Sequence, residues 1–388
     1  MSEDGGDDTD RVFTVVANES PTHPDARETI LRDPGFGDHF TDHMVQVDWT
    51  PQSGWHHPRV VPLGPLSLHP AAAVLHYGQE IFEGLKAFHG GDDRLRVFRM
   101  ADHAARFAAS ADRMAMPALP SDLFSESVRR LVDVDRAWLP DGRGTSLYLR
   151  PFMVATEPFL GVRPARAATF GVIASPAASY FADESAVSIW LSGRYSRAAA
   201  RGTGAAKCGG NYAGALAAQV EAHRHDCAQV LFTDAATQTW VEEAGSMNLF
   251  FAFADGTVVT PPADGTILAG VTRDSVIELA SSRGYHVAQR RIGIAEWASA
   301  ARTGHLREVF ATGTAAVVTP INRLLGDGLV IDTPTQGFGI LARMLRDELT
   351  GIQRGTRPDR FGWMTDLGES SRTSQSSPSR PQRYAATV

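Results

Sequence analysis

Lys207 stands in a run of small residues, Gly202-Thr203-Gly204-Ala205-Ala206-Lys207-Cys208-Gly209-Gly210, that continues into Asn211 and Tyr212. A lysine flanked by glycines serves two chemistries: it cradles nucleotide phosphates, or it bonds covalently to an aldehyde cofactor. A Walker-type loop needs Gly immediately before the lysine and Ser or Thr after it, so that the backbone curls tightly and a hydroxyl reaches magnesium. Ala206 and Cys208 occupy those places. A dinucleotide-binding turn fails as well, because Lys207 stands where its third glycine should open the helix. An amine that condenses with an aldehyde needs small neighbours, against which a flat cofactor can lie, and a setting that lowers its pKa. Ala205, Ala206, Gly209 and Gly210 meet the first need. Taken alone, such a lysine is more often a solvated loop residue, so its companions must decide.

Other groups able to do chemistry lie further along. Glu242 and Glu243 form a carboxylate pair that is either a solvated face or a charged partner for a ligand. Gly270 precedes RDSVIELASSRG, a helical stretch whose N-terminal amides at Val271 and Thr272 suit a phosphate, and Thr314 lies in the Gly313-Thr314-Ala315 turn. The His56-His57 pair and the stretch from His223 to His225 lack metal-ligand spacing, so no metal site is expected.

The elements that position these groups are of both kinds. Alternating apolar runs predict strands over 45–49, 146–150, 228–232 and 247–252. Leu123, Val128, Leu131 and Val132 recur at helical spacing, which predicts a helix over 121–132 with Ser121 as its N-cap. A second helix is predicted from about 273 to Gly284. The chain is expected to be mixed α/β with two domains. A flexible segment over 1–28, where Pro21 and Pro24 interrupt any helix, precedes a small domain over 29–174. A linker over 175–187, a larger domain over 188–366 and a disordered Ser/Arg/Pro-rich tail over 367–388 follow.

Composition narrows the function. The 388 residues are 43% hydrophobic and 21% charged, enough for two cores. A net charge of -7 without basic runs argues against nucleic-acid or anionic-membrane partners and for small-molecule chemistry. The acidic start MSEDGGDDTD has no apolar stretch, so a cytoplasmic protein is expected, and Cys208 and Cys227 are expected to be reduced thiols.

The segment GTGAAKCGGNYA resembles the active-site segment of branched-chain amino-acid aminotransferases, pyridoxal-phosphate enzymes of fold type IV. The resemblance runs from about 35 to 363 through FGDHFTDHM (36–44), LHYGQEIFEGLKAF (75–88), the FR pair ending at Arg99, and LYLRPF (147–152). VEEAGSMNLFF (241–251), GTILAGVTRDS (265–275) and FATGTAAVVTP (310–320) continue it in order and spacing. It implies a two-domain fold like that of D-amino-acid aminotransferases and pyridoxal 5′-phosphate as cofactor. Lys207 then bonds to that cofactor and afterwards moves a proton between the substrate Cα and the cofactor's C4′. Glu243, rather than Glu242, faces the ring nitrogen, and Tyr212 the phenolic oxygen. Arg99, Val271, Thr272 and Thr314 hold the phosphate, with Arg197 at longer range. Ser246, Ala315 and Ala316 hold the substrate α-carboxylate. Phe36, Tyr77 and Tyr148 form an apolar wall for branched side chains, and Arg150 pairs with the distal carboxylate of glutamate.

The implied activity is ping-pong amino transfer between leucine, isoleucine or valine and 2-oxoglutarate by a homodimer, in which the loop around FLGVRPAR closes over the neighbour's pocket. Three rivals stand beside it. One is the same chemistry turned to specialised metabolism, such as isoleucine/allo-isoleucine interconversion with a partner. The others are a D-amino-acid aminotransferase or aminodeoxychorismate-lyase-like enzyme of the same fold, both of which LHYGQEIFEGLKAF and LYLRPF argue against, and an inactive cofactor-binding protein. Departures from the family pattern are Ala199-Ala200-Arg201 before the lysine loop, Ala269 and Met100; the C-x-x-C pair of mammalian members is absent, so no thiol switch is expected.

Overall fold

The computed structural model describes residues 12–142, 144–178 and 186–369. Its first part is built on strands β1 (Thr14–Val15), β2 (His43–Thr50), β3 (Gly54–Pro62), β4 (Glu80–Phe82), β5 (Leu85–His89) and β6 (Arg94–Phe98). Two longer strands complete it, β7 (Ser146–Ala155) and β8 (Ala168–Ala177). Helix α1 (Pro24–Arg32) precedes β2, the short α2 (Ala73–Tyr77) precedes β4, and α3 (Met100–Arg113) and α4 (Ser121–Val134) link β6 to β7.

The second part opens with β9 (Val187–Leu191), helices α5 (Gly209–Ala213) and α6 (Leu216–Arg224), and strand β10 (Gln229–Thr233). Next come β11 (Val241–Ala244), β12 (Met247–Phe253), β13 (Thr257–Thr260), α7 (Val271–Ser282), β14 (His286–Gln289) and α8 (Ile294–Arg302). The chain ends with β15 (Leu306–Gly313), β16 (Val317–Gly326), β17 (Leu329–Asp332), α9 (Ile340–Gln353) and β18 (Met364–Glu369).

Among the described residues the strands form two nine-stranded sheets, ordered β1-β3-β2-β8-β7-β5-β6-β18 with β4 on β7, and β11-β10-β9-β16-β15-β12-β13-β14 with β17 on β16. In the first sheet every pairing except β1 with β3 is antiparallel. One face is covered by α3 and α4, whose apolar stripes meet it where Phe107, Phe124 and Phe170 interlock with ring centroids 5.5–6.2 Å apart. The second sheet is covered on both faces, which is why β12 is buried at every residue. Trp297 of α8 packs edge-on to Phe251, 4.9 Å between centroids, while α7 and α9 lie on the opposite face with Phe250 and Phe310. That last cluster also takes in Phe88 and Phe98 from the first sheet, so one apolar seam joins the two halves.

Several boundaries differ from the sequence reading. Pro24 opens α1 instead of breaking it, because a proline at the first helical position lacks only an N–H that has no intrahelical partner. Ser121 is the first residue of α4, not its cap; Pro120 holds the cap position and no side chain caps the helix. The helix expected from about 273 begins at Val271. The linker expected over 175–187 loses its first three residues to β8, whose Ser146↔Ala177 pairing extends the ladder, and 179–185 lie outside the described residues. The tail expected from 367 begins no earlier than 370, since β18 returns to pair with β6 in the first sheet; residues 370–388 and 1–11 lie outside the described residues. No helix among the described residues is long and apolar enough to cross a membrane.

Candidate active site

The loop bearing Lys207 is cross-braced by Asn211. Its side-chain amide donates to the carbonyls of Thr203 and Ala206, both at 2.8 Å, and its oxygen accepts from Thr203 Oγ1 at 2.7 Å. The first half of the chain fixes the lysine's own backbone: Lys207 N–H donates to Ser110 Oγ at 3.0 Å, and its carbonyl accepts from Phe82 N–H at 2.9 Å. Gly209 N–H donates to Glu80. Arg113 donates to the carbonyls of Arg201 and Gly202 and thereby ties the departing Ala199-Ala200-Arg201 stretch to α3.

So held, Lys207 Nζ reaches a chamber of about 240 Å³ between the two sheets, 2.8 Å from Tyr212 Oη and 4.7 Å from the centroid of Phe82. Burial, followed by the Arg106 charge, lowers its pKa from 10.5 to about 8. Tyr212 moves the other way: burial and the Glu243 charge raise its pKa, so its hydroxyl stays protonated. Arg106 lines the chamber and is held by Glu83, which is completely buried and accepts from Arg106 Nε and Nη2 at 2.6 and 2.8 Å and pairs with His103 Nδ1 at 2.8 Å. Burial opposes the charge on Glu83, yet Arg106 and His103 prevail and hold its carboxyl well below the usual range.

Glu243 is buried on the chamber wall, while alternation along β11 turns Glu242 away from it. Its Oε1 accepts from Leu268 N–H at 2.6 Å, and Arg197 Nε stands 3.2 Å from Oε2. Burial raises the Glu243 pKa and Arg197 opposes that rise. Arg197, expected to act on the phosphate at longer range, lies against Glu243 and lines an adjoining cavity beside α6.

The opposite end is rich in donors. Val271 and Thr272 line the chamber at the start of α7, where the first helical bond is made by Asp274 N–H to Gly270, leaving the preceding amides available. Gly270 is required there, since a Cβ would overlap Asn248 Oδ1. Thr314, Ala315 and Ala316 line the wall in the turn between β15 and β16, and their N–H groups have no protein acceptor among the described residues. Thr312 Oγ1, buried on the same wall, is also unpartnered. Convergent amides and an orphaned hydroxyl fit an anionic ligand group such as a phosphate or carboxylate. Arg99 does not reach this wall: Asp102 and Asp274 take up its guanidinium at 2.8–3.0 Å, and it touches α7 through Ser275 Oγ at 3.0 Å.

Phe36 and Tyr148 both line the chamber, edge-on with centroids 5.3 Å apart, and Gly84 makes room for the tyrosine ring, which a Cβ would strike. Arg150 lies between Phe82 and Tyr148, donates to Tyr148 Oη at 3.1 Å, and keeps a buried Nε without a partner. Ser246 lines the chamber. Tyr77 does not. It ends α2 ahead of the left-handed Gly78, is 40% exposed, and donates to the Leu160 carbonyl on the outer surface.

Glu83, Arg106, His103 and Lys86 are the residues sequence reasoning passed over. Glu83 and Lys86 lie inside the LHYGQEIFEGLKAF block, and His103 and Arg106 share one face of α3 at three-residue spacing, which was the available signal.

Comparison with known proteins shows the family. The family model for class IV amino-transferases matches residues 80–324. The chain is 50% identical to the branched-chain-amino-acid aminotransferase of Mycolicibacterium smegmatis, over 92% of this chain and 98% of that protein. It is 44% identical to branched-chain-amino-acid transaminase 1 of Bacillus subtilis, over 86% and 94%. Among solved structures, the Escherichia coli branched-chain amino acid aminotransferase superposes with a TM-score of 0.71 at 26% identity, covering 84% of this chain and 99% of that one. The T.th. branched-chain amino acid aminotransferase with pyridoxamine 5′-phosphate superposes with a TM-score of 0.68 at 29% identity, covering 83% and 98%.

Proposed function

The chain belongs to the class IV aminotransferases, and within them to the branched-chain-amino-acid aminotransferases; from that membership we propose a pyridoxal 5′-phosphate enzyme that exchanges amino groups between leucine, isoleucine or valine and 2-oxoglutarate. The observation that carries this reading is the convergence of the Lys207 amine, the Tyr212 hydroxyl and the Glu243 carboxylate on one chamber whose far end offers unpaired amides. When bound, the cofactor supplies an aldehyde that receives the amino group and a ring that accepts the electrons left at Cα.

The remaining work falls to the chain's residues. The lowered pKa of Lys207 raises the fraction of free amine that can attack, and with the cofactor in place the same amine would take a proton from the substrate Cα. Tyr212 stays protonated and orients that amine. Glu243, kept ionised against its burial by Arg197, would hold a proton on the ring nitrogen. The Val271 and Thr272 amides and Thr314 hold the phosphate, with Arg99 adding charge from behind the first turn of α7. Ser246 and the Ala315 and Ala316 amides hold the α-carboxylate. Phe36 and Tyr148 take the branched side chain, and Arg150 accepts the distal carboxylate of glutamate in the other half-reaction.

A homodimer is part of the same reading. Phe159, Leu160 and Val162 are 37%, 68% and 87% exposed on one loop beside Tyr77, an apolar rim suited to a second copy. The test is a panel of L- and D-amino acids with 2-oxoglutarate. Turnover confined to L-leucine, L-isoleucine and L-valine, with glutamate as the product, is expected, and turnover of the D-enantiomers instead would overturn the substrate assignment.

A further inference from the structure

Lys86 is 7% exposed on β5, and its ammonium donates to a single protein group, the carbonyl of Ala315, at 3.1 Å across the seam between the sheets. No carboxylate pairs with it among the described residues. It borders a void of about 10 Å³ with Thr272, Gly313, Thr314 and Val317, room for one water at most. Burial, then the Arg354 charge, lowers its pKa to about 8, so the cation is kept at a cost that an apolar residue of the same length would avoid.

The turn it grips is unusual. Val317, a β-branched residue, has φ 59, in the left-handed region that such residues rarely adopt. The Ala316 carbonyl accepts from Thr319 Oγ1 at 3.3 Å, so the turn is tied at both alanine carbonyls. In a trans peptide the C=O of one residue and the N–H of the next point in opposite directions. Fastening the Ala315 carbonyl to Lys86 therefore turns the Ala316 N–H away from Lys86. Lys86 lies outside the chamber, whereas both alanines line it.

We infer that Lys86 is a positioning residue for the substrate α-carboxylate, aiming the Ala316 amide into the chamber by holding the carbonyl of the same peptide. The inference rests on the proposed function, in which the Ala315–Ala316 turn receives that carboxylate. It separates two ligands that share a branched side chain: an acid depends on Lys86, and an amine without a carboxylate does not.

The holoenzymes of wild type, K86M and K86R are titrated with 4-methylvalerate, a branched acid without an amine, and with isoamylamine, a branched amine without an acid, following the cofactor's absorbance. K86M is expected to bind 4-methylvalerate about tenfold more weakly, the loss of one charge-supported contact. Its isoamylamine affinity, cofactor retention and melting temperature should stay at wild-type levels, and K86R should recover part of the acid affinity. Equal weakening of both ligands, loss of cofactor instead of acid affinity, or no change at all would each overturn the inference. If K86M does not fold, K86Q, which keeps a polar end but no charge, is read by the same ratio of acid to amine affinity. A wild type that ignores 4-methylvalerate would refute the carboxylate-site reading itself; a wild type that binds it beside an unaltered K86M refutes only the role of Lys86.

Discussion

Lys207 Nζ lies 2.8 Å from Tyr212 Oη, and their surroundings push the two groups in opposite senses: the amine toward neutrality at a pKa of about 8, the phenol away from ionisation. The tyrosine can thus donate to a free amine without becoming a competing anion. Attachment of the aldehyde cofactor to the apoprotein requires the neutral amine. Its rate should therefore rise by about tenfold per pH unit below pH 8 and level off above it. A stopped-flow record of cofactor absorbance from about pH 6 to 11 checks this, and a plateau beginning only above about pH 10 would mean that the amine is not depressed. Lys207→Ala should lower turnover by at least about 10²- to 10⁴-fold, the range for loss of a proton-transferring group.

Glu243 should be sensitive to charge more than to shape. Glu243→Gln keeps the acceptor for Leu268 N–H but loses the anion that Arg197 supports and that holds the ring proton. Turnover should fall about 10²-fold or more, as for removal of one electrostatic stabiliser at a reacting centre. Glu242→Gln, on the other side of β11, should leave kcat at the wild-type level. Equal losses in the two variants would show that the wall has been assigned to the wrong carboxylate.

The parts of this site legible in sequence are those carried by backbone and by contiguous motifs. The small residues around Lys207, the helix start at Val271 and the Gly313-Thr314-Ala315 turn each announce themselves within a few residues, because close backbone approach restricts residue type locally. Illegible were the long-range pairs. Nothing near Glu83 reveals that Arg106 will meet it, or that Lys86 will cross between sheets to a carbonyl 229 positions away. Tyr77 is the converse case: its motif is intact, and its place at the C-terminal end of α2 turns the ring to the surface of the single chain. In the same way Arg99 sits in the right pair of residues, but Asp102 and Asp274 decide where its charge is spent.

Arg150 offers a prediction about dual specificity. Its guanidinium is flanked by two aromatic rings, has one hydroxyl partner at 3.1 Å, and keeps a buried Nε unpaired. A second carboxylate on the substrate satisfies it. Arg150→Leu should lower kcat/KM for glutamate and 2-oxoglutarate by about ten- to a hundredfold, the worth of hydrogen bonds to a charged group, and leave the leucine half-reaction within a few-fold of wild type. Separate half-reaction kinetics distinguish the two substrates, and a parallel loss for leucine would assign Arg150 to packing instead.

Glu83 ties the architecture to acid stability. The carboxylate has no exposed surface and is held ionised by Arg106 and His103, with its folded pKa below the ordinary 4.5. A depressed pKa means that its stabilisation is complete above pH 4.5 and drains away as the pH falls toward the folded value, because the unfolded chain takes up the proton first. Over that window the wild type should lose up to about 1.4 kcal/mol per pH unit from this one group. Glu83→Gln should be less stable at pH 7 by about 3–5 kcal/mol, since it leaves the Arg106 cation buried without its partner. Below pH 4.5 its stability curve should run flatter than wild type by about one proton, so the two curves converge in acid. Urea unfolding of both apoproteins between about pH 7 and 3 measures this directly. Because the Glu83 carboxylate raises the Lys207 pKa that burial and Arg106 lower, the same variant should move the lysine's reactivity to lower pH, which a folding defect alone would not do.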